Sequence, residues 1–290
     1  MKKSLSTVLF FFLILTFSST CRVQAESSVK DFIRDYKKGL TLYSQGHYEQ
    51  ALNCFEQAID KKFTFWQSYQ MVGYCYYELR EKADALEAFE QSLEINPNNA
   101  EARNNFGNAL AQKGQVDEAI PQFEMSLEID PNFAEPHYNL GNAFAQKGEM
   151  DEAMAQYKKA LAINPDYANA HTNLGNVLAQ KGEMDEAITE YQKALDINPG
   201  YANAYINLGN ALIQEKKLDA AITEYQAALQ IEPGNFQAHY NLGAILVQEG
   251  KLDEAIAHFQ EALQLRPDFT AARDFLAKAQ AMEAVQKTGQ

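Results

Sequence analysis

Asparagine returns at a fixed step along this chain, and the step is what gives the residue a chemical use. Asn105, Asn139, Asn173, Asn207 and Asn241 stand 34 residues apart. Asn108, Asn142, Asn176 and Asn210 form a second row three residues further on, and a glutamine row (Gln112, Gln146, Gln180, Gln214, Gln248) follows below. A primary amide carries donors and acceptors, the two kinds of group that a peptide backbone offers at every residue. Amides repeating once per unit suit an extended polypeptide irrespective of its side chains. They suit polar contacts between neighbouring elements equally well, and both readings stay open at this point.

Residues for bond-making chemistry are sparse. His137, His171 and His239 share one register, which spaces them apart instead of gathering them around a metal ion. No phosphate loop, paired-cysteine spacing or Ser/His/Asp grouping occurs. The expectation is a non-enzymatic protein with no catalytic or metal-ligating residue, no cofactor and no small-molecule substrate. The formal charge of −14 argues against nucleic acid or an anionic membrane surface as a partner.

The elements that must carry the amides follow from the same period. Pro97, Pro131, Pro165, Pro199, Pro233 and Pro267 keep the 34-residue step, as do glycines from Gly39 to Gly243 and alanines from Ala51 to Ala255. Residues 134–167 and 168–201 share 23 identities in 34. Each unit reads as two helices. In residues 168–201 the first carries Leu174 and Leu178, and the second Ile188, Tyr191 and Leu195, at helical spacing. Gly182 is placed to end the first helix, Asp185 to cap the second with Glu186 in its first turn, and Pro199 to stop it. Gly175 and Ala187 lack bulk, so the two helices can approach closely.

Leu174-Gly175, Leu178, Ala187, Tyr191, Ala194 and Pro199 resemble the pattern of the tetratricopeptide repeat family. The resemblance covers residues 32–269 in seven units (32–65, 66–99, 100–133, 134–167, 168–201, 202–235, 236–269), followed by a capping helix and tail at 270–290. It is looser in the first two, where Phe63 replaces the proline and Arg80 the helix-ending glycine. The family's first-helix tryptophan is replaced by Asp35, Tyr69, Arg103, His137, His171, Tyr205 and His239. The resemblance implies an all-α, right-handed superhelical solenoid whose first helices line a concave face. Both asparagine rows would then face the groove. A similar asparagine ladder lines the repeat arm of the O-linked N-acetylglucosamine transferases, where it binds substrate backbones. Tyr43, Tyr74 and Tyr77 fall on the inner-face rows as an aromatic patch, either for anchoring a ligand or for packing an end unit. The clamp that other family members use for acidic C-termini is not matched, because Gln70, Asn104, Tyr138, Thr172, Ile206 and Tyr240 include no lysine. The implied function is a scaffold binding a protein or peptide in its groove, in cell-envelope assembly or secretion. The alternatives are a self-assembling array and a regulatory arm derived from a repeat-containing glycosyltransferase.

The N-terminus bears on the address. Lys2 and Lys3, an apolar run at 8–17 and Val23-Gln24-Ala25 read as a signal peptide over 1–25, with a short lead-in at 26–31. Export to the periplasm or medium is expected, with an uncleaved membrane anchor as the alternative. Cys54 and Cys75 would then be either one disulfide of an oxidising compartment or two small buried apolar side chains.

Overall fold

The structure, a computed structural model, describes residues 19–61 and 65–288. Lys2, Lys3, the apolar run at 8–17 and Phe63 lie outside them. Among the described residues there are fifteen helices and no strand. They pair into seven hairpins: Ser19–Ser44 with Tyr48–Ile59, Trp66–Glu78 with Lys82–Ile95, Ala100–Gln112 with Val116–Ile129, Ala134–Lys147 with Met150–Ile163, Ala168–Gln180 with Met184–Ile197, Ala202–Gln214 with Leu218–Ile231, and Phe236–Gln248 with Leu252–Leu265. Thr270–Thr288 follows as a closing helix against the seventh hairpin. The chain divides into two compact units between Asn139 and Leu140, and within each unit consecutive hairpins pack side by side.

One contact closes every hairpin. The first-helix glycine faces an aromatic ring 16 residues later on the second helix. An added Cβ would lie 2.7 Å from Phe55 at Gly39, 2.5 Å from Tyr157 at Gly141 and 2.6 Å from Tyr191 at Gly175. These rings are essentially sealed from water, at 0% exposure for Phe55 and 2% for Tyr157 and Tyr191. Glycine is needed here because the ring occupies the space a side chain would take.

The turns have a separate requirement. Gly182 has φ +83°, with its amide bonding Ala179 O at 3.1 Å and the Glu183 amide bonding Leu178 O at 2.9 Å, the Schellman pattern. Arg80 and Lys216 occupy the same left-handed position with φ 63° and 59°, at a steric cost of about 1 kcal/mol that glycine avoids. Lys216→Gly should therefore stabilise the sixth hairpin by roughly 0.5–1 kcal/mol. A denaturation midpoint that falls in this variant would show that the turn is not strained.

One expectation is corrected. Asp185 is not the cap of its helix. Glu183 holds that position without a side-chain bond, and Asp185 and Glu186 lie in the first turn, where they favour the helix dipole. The lead-in at 26–31 is helical, part of the helix that begins at Ser19. Val29 and Phe32, one turn apart, are both buried (7% and 0% exposed), so packing extends the helix backwards through a stretch lacking proline and glycine. Cys54 and Cys75 are free buried thiols, as the apolar reading expects. Cys75 packs with Ala51, Phe55, Val72 and Ala88, and burial, aided by Glu56 and Glu78, pushes its thiol up to about 12.

Candidate peptide-binding groove

In the C-terminal unit the two asparagine rows are joined by a repeating bond. The Nδ2 of Asn173 donates to Asn142 Oδ1 at 2.8 Å, that of Asn207 to Asn176 Oδ1 at 2.9 Å and that of Asn241 to Asn210 Oδ1 at 2.9 Å. The receiving oxygens have a second donor, because the ring that packs against the hairpin glycine is a tyrosine in hairpins four to six. Tyr157, Tyr191 and Tyr225 donate their hydroxyls to Asn142, Asn176 and Asn210 at 2.8, 2.9 and 2.6 Å. A buried phenol needs a partner, and burial pushes the Tyr191 phenol up to about 12, so it remains a donor.

This arrangement orients the amides. Asn176 and Asn210 each accept two hydrogen bonds, which fills the two lone pairs of a carbonyl oxygen, so the capacity they keep is the donating Nδ2. Asn207 and Asn241 each spend one Nδ2 proton on the neighbouring rung. Around them opens a cavity of about 500 Å³ lined by Asn173, Asn176, Asn207, Asn210 and Asn241, with Ile206, Tyr240 and Phe269 among the walls and, among the described residues, no charged one in the lining.

The N-terminal unit continues the pattern with a substitution. Tyr74 occupies the register of Asn108, and Asn105 Nδ2 donates to its hydroxyl at 2.6 Å, just as Asn173 donates to Asn142. Asn108 is half-buried, and the ring fifteen residues after it is Phe123, which has no hydroxyl to donate. Asn139 corrects the sequence reading. It is 9% exposed and donates to Asn104 Oδ1 at 2.8 Å, because Asn104, fully buried on the preceding first helix, needs a partner of its own. It contributes to packing between helices and not to the groove surface. Of the aromatic patch, Tyr43 and Tyr74 meet with ring centroids 6.3 Å apart, while the Tyr77 hydroxyl accepts from Gln112 Nε2 at 2.5 Å.

Sequence reasoning missed the three core tyrosines as part of the ladder. The signal was present. Tyr157, Tyr191 and Tyr225 stand fifteen residues after Asn142, Asn176 and Asn210, and where the ring is Phe259 the partner register holds Ala244.

The register of the family's tryptophan has a local duty. Arg103, His171, His239 and Arg273 each bond the carbonyl of the proline six residues earlier, at 2.8–3.0 Å. His171 also meets Glu190 Oε2 at 2.6 Å, so both ring nitrogens face acceptors. Burial alone lowers its pKa, but the bonds to Glu190 and Pro165 outweigh it and the net shift is upward. His239 Nδ1 meets His258 Nδ1 at 2.9 Å, and burial together with that neighbour lowers the pKa of His258. Among the described residues no group of three His, Cys, Asp or Glu is placed to hold a metal ion.

Models of the tetratricopeptide repeat match residues 36–100, 88–120, 107–148, 141–182, 175–214, 209–248 and 236–269. The chain belongs to the tetratricopeptide repeat family, whose members are generally scaffolds that bind protein or peptide partners. Among solved structures it superposes on a chain of the APC/C hetero-tetramer Cut9-Hcn1 with a TM-score of 0.70 and 23% identity. That match covers 83% of this chain but only 48% of the other, so this chain spans about half that protein's length and the likeness shows the fold alone. YrrB, described as a TPR protein with an unusual peptide-binding site, matches with a TM-score of 0.55 and 27% identity over 65% of this chain and 97% of YrrB. MamA matches with a TM-score of 0.52 and 30% identity over 56% of this chain and 94% of MamA. No curated protein matches the chain.

Proposed function

We propose that this protein is a non-enzymatic scaffold that holds an extended polypeptide against the asparagine ladder, and that it works in the cell envelope in assembly or secretion. The observation that carries the binding reading is the oriented amide pair of each C-terminal rung. Asn176 offers donors while Asn207 keeps a donor and acceptor capacity, which complements the C=O and N–H of a peptide backbone. The cavity around them has no charge in its lining, so a bound segment is recognised mainly through its backbone. Similarity to YrrB, with its peptide-binding site, adds weight to this reading. The envelope address rests on Lys2, Lys3, the apolar run at 8–17 and the small residues before Glu26. No described helix is long and apolar enough to cross a membrane.

Capture from envelope extract with the full chain, compared with a variant lacking the ladder amides, tests the binding reading. The variant should lose partner relative to the wild type at both low and high salt, because the uncharged contacts it removes are little screened. Mass spectrometry of the native protein should find Glu26 at the N-terminus. An intact Met1 in a soluble cytoplasmic fraction would remove the envelope from the proposal.

A further inference from the structure

We infer that the N-terminal unit carries a distinct pocket for a basic side chain, arginine above all, on the polypeptide that the groove holds. The inference rests on the backbone-binding reading for what delivers that side chain. A cavity of about 840 Å³ in this unit is lined by Trp66, Tyr74 and Phe133, with the carboxylates of Glu101, Asp130 and Glu135 and, among the described residues, no lysine, arginine or histidine. Aromatic faces and carboxylates both select the same ligand, a guanidinium or ammonium group. The uncharged cavity of the other unit shows that acidity is not a general property of this ladder.

The pocket is built and not merely acidic. The Tyr74 hydroxyl donates to Glu101 Oε1 at 2.5 Å and accepts from Gln70 Nε2 at 3.0 Å and Asn105 Nδ2 at 2.6 Å, which holds ring and carboxylate in place together. The Trp66 carbonyl accepts from Ser92 Oγ at 3.0 Å.

An independent observation lies in the chain's own seventh hairpin. Phe236 stands five repeats after Trp66 in the same register, and its ring carries the guanidinium of Arg266 at 4.9 Å from the centroid. Arg266 Nε in turn donates to Asp268 at 3.3 Å. At the matching positions of the second hairpin, Asn96 stands for Arg266 and Asn98 for Asp268. The better cation acceptor, tryptophan, therefore lies at this register with asparagine where the seventh hairpin has its arginine, beside carboxylates that neutralise a cation supplied from outside.

Trp66 is the single tryptophan of the chain, so its emission reports on this pocket alone. The probes are a nine-residue Gly/Ser peptide with a central arginine and the same peptide with glutamine, titrated into the full chain. The arginine peptide should shift Trp66 emission and bind about tenfold tighter than the glutamine peptide, with an affinity that falls as salt is raised. The double variant Glu101→Gln, Glu135→Gln should lose that preference. If it folds poorly, Trp66→Ala read by calorimetry replaces it, since alanine already stands at positions 100, 134, 168 and 202. Equal affinities for the two peptides would leave the backbone reading standing and overturn the pocket. An arginine peptide that shifts Trp66 while the glutamine peptide binds nowhere upholds the pocket and defeats the ladder. An arginine preference that survives in the double variant, or no binding of the arginine peptide at all, overturns the inference.

Discussion

Gly175→Leu should destabilise the C-terminal unit by about 3 kcal/mol, the upper part of the usual range for overpacking a core. The ring of Tyr191 stands 2.6 Å from where even the first added carbon would go. That ring cannot easily withdraw, because it is 2% exposed and its hydroxyl is tied to Asn176 at 2.9 Å. Gly182→Ala in the same hairpin is the contrast. Nothing lies within 4 Å of its added Cβ, and the only penalty is φ +83°, about 1 kcal/mol. Chemical denaturation of the two variants should separate these costs. Because the contacts of a repeat array are made with neighbours, hydrogen exchange in Gly175→Leu should rise in the fifth hairpin and those beside it. Equal destabilisation by the two substitutions would refute the ring-seat account.

Changing Asn173, Asn207 and Asn241 together to alanine should weaken binding of the natural partner by roughly 2–5 kcal/mol, at about 0.5–1.5 kcal/mol for each hydrogen bond lost. The fold should tolerate it. These three residues donate to the other row, and after their removal Asn142, Asn176 and Asn210 still accept the tyrosine hydroxyls. Alanine in that second row instead takes the Asn176 and Asn210 acceptors from the buried Tyr191 and Tyr225 phenols, at about 1–3 kcal/mol each, so its main effect is on stability. Asn139 belongs in neither set, since its loss leaves Asn104 short of its partner. A triple variant of Asn173, Asn207 and Asn241 that melts normally and keeps wild-type affinity would exclude the ladder from binding.

The period of the sequence determined the hairpins, their number and the close approach at Gly175, because every repeat makes the same nearest-neighbour contacts and writes them at the same positions. Gly182 and Arg80 were legible for the same reason, since a helix ends through its own backbone. What each amide does was decided only by the tertiary structure. The bond from Asn207 crosses 31 residues and the bond from Tyr191 fifteen, and the two meet on one oxygen. Asn139 and Asn173 occupy the same register, yet one is buried against Asn104 and the other pairs with Asn142, because the partners stand one turn apart in register on the preceding first helix. A repeat pattern records which positions face a neighbour. It does not record which atom of the neighbour supplies the proton, and that allocation orients the amides at this groove.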